Sequence, residues 1–300
     1  MTTARKLAYI ALLINTLLWG LALPIVKPAL SFVTPTQFLY FRYLIAAPLT
    51  LLFLPFLKFP RLSLNKFGKI LLLEFIGTPI LLAILYTGLE KTSGLEASLL
   101  GATSPLFTIL GGIWFLHERQ TKREWQGFAL AMFGTAILAL EPLFLGNHTL
   151  NFSGLTGNFL IILQNLIWAG YLLYAKKLYR GLSKLLVTAF SYWLGLVSFG
   201  GYLVFSHSLP PISLLTSNLS LLIPVLYMAI FGSIIALALY LYGQDKIEAS
   251  EASVFTYLQG VVAIPASFLL LGEKPSWLVA LAILVISYGV LRAEQKTHKK

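Results

Sequence analysis

The run GKILLLEFIGTPILLAILYTG, from Gly68 to Gly88, decides the fold class. It holds only two charges, Lys69 at its edge and Glu74 within it. A helix of this length covers roughly 30 Å, the thickness of the hydrocarbon layer of a bilayer. Its apolar residues are continuous, as in Ile70-Leu-Leu-Leu73, and lack the alternation that a membrane β-strand requires. A helix satisfies its own backbone hydrogen bonds in lipid, so this stretch reads as a membrane-spanning helix.

Similar runs lie on either side. Before it come about Leu7–Val26 and Thr36–Phe56. After it come about Gly94–Leu116, Glu124–Leu140, Leu155–Ala175, Leu185–Phe205, Leu221–Tyr242, Ser250–Leu271 and Trp277–Leu291. Breakers separate them: Lys27-Pro28, Pro55 to Pro60, Gly146-Asn147, Pro210-Pro211 and the turn from Gly272 to Pro275. The composition agrees. Hydrophobic residues make up 58% and charged residues 11% of the 300, where a soluble domain carries about 25% charged residues. The expected fold is an all-α integral membrane protein of ten transmembrane helices.

The net charge of +11 comes from topology. With the N-terminus inside, the inner segments collect Arg5 and Lys6, the cations from Lys58 to Lys69, those from Arg119 to Arg123, those from Lys176 to Lys184, Lys246, and the tail cations from Arg292 onward. The outer loops hold Lys27, Lys91 and Lys274. Positive residues accumulate on the cytoplasmic side of membrane proteins, which predicts a multi-pass protein of a bacterial-type plasma membrane with both termini cytoplasmic. The basic face suits anionic lipid heads, and nucleic-acid binding is not expected. The absence of cysteine removes thiol chemistry and disulfides.

The sequence repeats itself. Glu96-Ala-Ser98 returns as Glu251-Ala-Ser253, and at the same offset of 155 Glu118 meets Glu273, Lys91 meets Lys246 and Gly134 meets Gly289. Trp19 and Trp168 are 149 apart, as are Lys27 and Lys176. Five helices per half force the second half to enter from the opposite side, which is the inverted-repeat plan of many transporters. The expected units are residues 1–142 and 155–292, each a five-helix repeat, followed by a basic tail at 293–300.

These features resemble the EamA-type transporters of the drug/metabolite transporter superfamily. The resemblance rests on Leu18-Trp19-Gly20, on Phe41-Arg42-Tyr43, and on Glu96-Ala-Ser98 running through Pro105 to Leu116-His-Glu118. It rests in the second half on Trp168 and on Glu251-Ala-Ser253 running to Leu271-Gly-Glu273. It implies ten helices, cytoplasmic termini, alternating access and, often, export. The halves differ in one respect: Tyr192 or a neighbour stands where the first half has Arg42.

Several residues are candidates for binding a solute at the midplane. Arg42 lies about seven residues into helix two, where an unpaired charge is costly. It suits an anionic group; the plainer reading is a snorkelling or capping arginine. Asn15 and Asn165 fall mid-helix with Trp19 and Trp168 about one turn on, an amide and an aromatic from each half. They suit a polar solute, the alternative being helix–helix bonding. Thr103 before Pro105, Tyr257 and Gln259 before Pro265, and Tyr86 complete the binding set. Pro105 and Pro265 are candidate hinges. Glu74 is the candidate coupling carboxylate, to be weighed against a surface acid balanced by Lys66 or Lys69. Glu118 and Glu273 at helix ends suit gates or caps.

No phosphate loop, nucleophile elbow or zinc motif appears, so neither an enzyme nor a cofactor or metal site is expected. The expectation is a secondary transporter, an exporter of small metabolites with amino acids in front. The alternatives are a non-transporting membrane assembly subunit and a lipid-processing membrane protein.

Overall fold

A computed structural model describes residues 3–56, 62–101, 103–104, 106–107, 111, 122–145, 152–179, 182–246 and 249–294. Among them every regular element is helical. The chain opens with α1 (Thr3–Gly20) and α2 (Ala22–Val26), then α3 (Pro35–Leu49), α4 (Leu64–Phe75), α5 (Leu81–Lys91) and α6 (Gly94–Gly101). It continues with α7 (Lys122–Leu145), α8 (Phe152–Leu178), α9 (Lys184–Phe205), a short α10 (Ile212–Ser217) and α11 (Leu219–Leu226). It ends with α12 (Ala236–Lys246), α13 (Ala249–Leu271) and α14 (Trp277–Glu294).

Some joints differ from the sequence expectation. The chain does not break at Lys27-Pro28 but tightens into a 3-10 turn, Lys27–Ser31, because a proline in a first turn lacks only an N–H that has no partner there anyway. The real start of the next helix is Thr34, whose hydroxyl accepts from the Gln37 N–H while the Gln37 side chain accepts from the Thr34 N–H. The third span is divided. A π-turn, Ile76–Ile80, joins α4 to α5, and the Leu81 N–H reaches back five residues to the Ile76 carbonyl. Pro79 explains it, since its missing N–H and its ring disturb the ordinary ladder. A second π-turn, Tyr227–Ile235, joins α11 to α12, and there the Ala236 N–H reaches the Phe231 carbonyl. Gly77 in the first turn and Gly232 in the second are 155 residues apart, the offset of the sequence repeat.

The packing also recurs. A Cβ on Gly88 would lie 2.9 Å from the Ile161 side chain, and one on Gly243 would lie 2.4 Å from the Leu12 side chain. The two glycines are 155 residues apart and their neighbours 149 apart. These contacts bring α5 onto α8 and α12 onto α1. On the long α7–α14 pair, Gly134 fits against Ile286 and the Ala282 carbonyl, while Gly289 fits against the Gly127 carbonyl. Small residues of this kind let membrane helices pack closely where no water drives them together.

Among the described residues, five helical stretches are long and apolar enough to cross a membrane: Arg5–Ser31, Leu64–Lys91, Ser153–Ala175, Leu185–Phe205 and Leu219–Tyr240. Large apolar side chains cover their outside, with Phe205 87% and Leu219 67% exposed. Such a surface is suited to lipid and poorly suited to water. The start of α4, the start of α9 and the end of α12 carry Lys66, Lys184 and Lys246, and this end of the bundle is the basic face. The opposite end, with Lys27 and Lys91, is the far face.

Candidate functional site

Both π-turns sit beside a buried charge. Arg42 projects from α3 and is 7% exposed. Its Nε donates to Ser233 Oγ at 2.9 Å and its Nη1 to the Tyr86 hydroxyl at 3.2 Å. Ser233 belongs to the second π-turn and passes its own proton to the Met228 carbonyl, five residues back, at 2.7 Å. The guanidinium lies 5.4 Å from the centre of the Tyr43 ring. All these partners are dipoles or a ring face. Among the described residues no carboxylate pairs with Arg42. The side chain is turned inward, so it does not snorkel.

Glu74 stands at the end of α4, one residue before the end of the helix and two before the first π-turn, and is 1% exposed. Its Oε1 accepts from the Tyr171 hydroxyl on α8 at 2.8 Å and from the hydroxyl of Tyr179, just past the end of α8. Its Oε2 accepts from Ser191 Oγ on α9. Gly77 makes this possible, because a Cβ there would lie 2.4 Å from the Tyr171 ring. Neither Lys66 nor Lys69 bonds to it among the described residues, so hydroxyl groups surround this acid where a surface lysine was the plain expectation.

The two sets are counterparts. Phe41-Arg42-Tyr43 and Phe190-Ser191-Tyr192 are 149 residues apart. The Tyr43 and Tyr192 rings meet at 5.5 Å, where α3 packs on α9. Arg42 thus reaches across to a π-turn of the second half, and Ser191 reaches across to the acid beside the π-turn of the first half. Each charge has an uncharged counterpart, Ser191 for Arg42 at the offset of 149 and Ala229 for Glu74 at the offset of 155.

A narrow cleft enters from the basic face between α3, α9 and the second π-turn with α12. Thr50, Thr188, Ala189 and Leu237 line it, with Tyr192 the lining residue furthest along α9 from the basic face. At the far face the halves are clasped. Glu273 accepts from the Gly94 and Leu95 N–H groups at 2.9 and 2.7 Å, capping α6. Lys27 donates to the Leu89 and Glu90 carbonyls at 2.6 and 2.9 Å.

The pattern of the EamA-like transporter family matches the sequence twice, at residues 6–140 and 155–292. The chain belongs to the EamA-like transporter family. An uncharacterized transporter of Archaeoglobus fulgidus is 23% identical over 97% of this chain and 98% of its own. The uncharacterized transporter YdfC of Bacillus subtilis is 26% identical over 94% of this chain and 89% of its own. A protein of Escherichia coli described as a "probable amino-acid metabolite efflux pump" is 25% identical over 96% of this chain and 94% of its own. One crystal structure superposes over 98% of this chain and 96% of its own, with a TM-score of 0.65 at 17% identity, and so shares the fold. An EamA-like transporter with these apolar helices is an integral, multi-pass membrane protein, and its family and relatives are those of a transporter rather than an enzyme.

In this EamA-like chain the remaining candidates fall as follows. Asn15 donates to the Ala236 carbonyl at 2.8 Å and Asn165 to the Leu100 carbonyl at 2.8 Å, both across helix pairs. Asn165 also lies 3.4 Å from Thr103 Oγ1, which itself donates to the Leu100 carbonyl. Trp19 donates to the Gly232 carbonyl in the second π-turn at 3.0 Å. Trp168 stacks on Tyr171 at 5.1 Å, behind Glu74. In this conformer the amides join helices, while the two tryptophans flank the charged sets. Gln259 is half-buried on α13, with its carbonyl against Gly20. Pro265 lies inside α13 on an exposed face. Pro105, Glu118 and the side chain of Tyr257 lie outside the described residues.

Sequence reading missed Ser191, Tyr171, Tyr179 and Ser233. The signal for Ser191 was present, since Phe-Ser-Tyr repeats Phe-Arg-Tyr at the tryptophan offset. The tyrosines and Ser233 carry no local signal, because which hydroxyl faces an acid or an arginine depends on how the helices rotate against each other.

Proposed function

We propose that the chain is a secondary transporter that moves small metabolites by alternating access, with residues 1–142 and 155–292 as two inverted five-helix repeats around a midplane site. The proposal counts ten crossings, with the basic face and both termini in the cytoplasm of a bacterial-type cell and 293–300 as a cytoplasmic tail. One observation carries it. Two π-turns at the repeat offset each hold a buried charged set, built across the two halves and centred on Arg42 and Glu74. Buried ionisable groups in membrane helices mark solute and ion pathways, and π-bulges frequently mark functional sites. Two similar halves that bind each other through corresponding contacts have two related arrangements, one open to each side.

In this reading Arg42, Tyr86, Trp19 and Trp168 border the solute site, with Asn15, Asn165, Thr103, Tyr257 and Gln259 further along the same helices. Glu74, with Tyr171, Tyr179 and Ser191 around it, is the proposed carboxylate that couples movement to a proton gradient. Pro265 and Pro105 serve bending. Amino acids and their derivatives are the first solutes to test, since a relative 25% identical is named for their efflux. Efflux is the proposed direction.

The test is flux into proteoliposomes of the purified protein, with labelled amino acids and related metabolites, with and without an imposed proton gradient. Saturable flux that disappears in a folded Trp19→Ala, Trp168→Ala variant is the expected result. No flux of any solute in either orientation favours the assembly-subunit reading.

A further inference from the structure

We infer that Arg42 is a carboxylate receptor, and that the solute is a small monocarboxylate with an apolar tail, entering from the basic face past Tyr192. This inference rests on the transporter reading and narrows it to one chemical class.

The argument begins with the donors of Arg42. A guanidinium has five N–H groups in a planar fork. One goes to Ser233 and one to Tyr86. The other three have no acceptor among the described residues, and no acid is in reach. A cation held in hydrocarbon by two hydroxyls and a ring face still lacks a counter-charge. A carboxylate matches the remaining fork with two parallel hydrogen bonds and supplies that charge.

The route limits what else the solute carries. Tyr192 lines the cleft with Ile234, the neighbour of Ser233, which accepts from Arg42 Nε, and the Tyr192 ring meets that of Tyr43, over which the guanidinium lies. On this inference Tyr192 stands between the cleft and the guanidinium, and turning its ring joins them. Leu185, Ala189, Ile234 and Leu237 line the way, with Thr50 and Thr188 as the polar exceptions. Among the described residues no acid lines it, so nothing described there reads a solute's ammonium group. No second cation among the described residues lines it either, so a dianion such as phosphate stays half-neutralised. One positive fork at the end of an apolar passage selects a solute with a single carboxylate and an apolar tail, an α-ammonium group being tolerated rather than recognised. The cleft is narrow and Arg42 is closed off in this conformer, as expected of a site that opens only on binding.

The experiment is thermal unfolding of the purified, detergent-solubilised protein with added probes at constant ionic strength. The probes are acetate, butanoate and 4-methylpentanoate, the amides of the last two, leucine, and inorganic phosphate. The expected result is a rise of up to about 4 °C at saturation that grows with tail length. It should be shared by leucine and absent for the amides and phosphate. Arg42→Gln abolishes the rise, Arg42→Lys keeps part of it because a point charge replaces the fork, and Lys27→Gln at the far face leaves it intact. Comparing acids with amides needs only the wild-type chain, so a misfolded variant does not obscure the outcome. Equal effects of acids and amides, an equal effect of phosphate, no effect of any acid, or a carboxylate effect that survives Arg42→Gln overturns the inference. Flux of uncharged or cationic solutes in the proteoliposome assay would then leave the transporter standing without this receptor. Absence of all flux removes the transporter reading itself.

Discussion

Thr16 and Asn165 occupy corresponding places on α1 and α8 and make the same bond. Thr16 donates to the Phe255 carbonyl at 2.8 Å, and Asn165 donates to the Leu100 carbonyl at 2.8 Å. The donors are 149 residues apart and the acceptors 155, the two offsets of the sequence repeat. A hydroxyl in one half and an amide in the other thus tie the first helix of each half to a corresponding carbonyl.

These bonds set a stability prediction. Thr16→Val and Asn165→Leu each remove one interhelical hydrogen bond, worth roughly 1 kcal/mol in membrane proteins. The sites share no partner, so the double variant loses about the sum. Unfolding in mixed micelles checks this. A loss in the double variant no larger than in either single variant would show that the two bonds belong to one coupled unit.

Close packing sets a second prediction. A Cβ on Gly157 would lie 2.7 Å from the Gly88 carbonyl and 2.9 Å from the Thr92 amide, both backbone, so α8 and α5 must separate. Gly201 on α9 has nothing within 4 Å. Gly157→Ala is expected to cost about 1–3 kcal/mol by overpacking. Gly201→Ala is expected to be neutral or to gain up to about 1 kcal/mol from helix propensity. Thermal unfolding of the two variants side by side decides it.

Coupling is tested at Glu74. Glu74→Gln keeps the size of the side chain and leaves a carbonyl to accept from the hydroxyls, but it cannot exchange a proton with the solvent. Gradient-driven flux falls at least tenfold, while exchange of solute against solute continues. Tyr179→Phe removes one of three donors and gives a smaller loss. Gradient-driven flux that persists in Glu74→Gln assigns coupling elsewhere.

The far-face clasp gives a further test. Glu273 makes charge-assisted bonds to the start of α6, where a helix favours negative charge. Glu273→Ala weakens the closed arrangement. A cysteine at Ala97, buried beneath the clasp, should then react several-fold faster with a membrane-impermeant maleimide added at the far face. An unchanged rate would make Glu273 a helix cap and nothing more.

Much of this was legible in the sequence, for physical reasons. Spans such as Gly68–Gly88 are readable because lipid demands an apolar helix of fixed length. Gly88 and Gly243 share the repeat offset and both sit where a helix presses closely on its neighbour, which is why small residues recur there. Arg42 and Glu74 stood out because a charge in such a span is rare. What surrounds them was not readable. The π-turns depend on how Pro79 and its neighbours settle against packed helices. The hydroxyl shell of Glu74 depends on the rotation of α8, which brings Tyr171 and Tyr179 to one acid eight residues apart. Asn15 and Asn165 looked suited to a solute, with helix bonding as the alternative, and only tertiary structure distinguishes the carbonyls they meet here.

The central claim is that one site is reached from both sides of the membrane in turn. The chain has no cysteine, so a single cysteine at Ala189, one turn below Tyr192 in the cleft, reports access without background. The measurement is its rate of modification by an impermeant maleimide in oriented vesicles, with reagent on the basic side or on the far side, with and without 4-methylpentanoate. The account predicts reaction from both sides, with solute shifting the balance between them. Reaction from the basic side alone, unchanged by solute under every gradient, would contradict it.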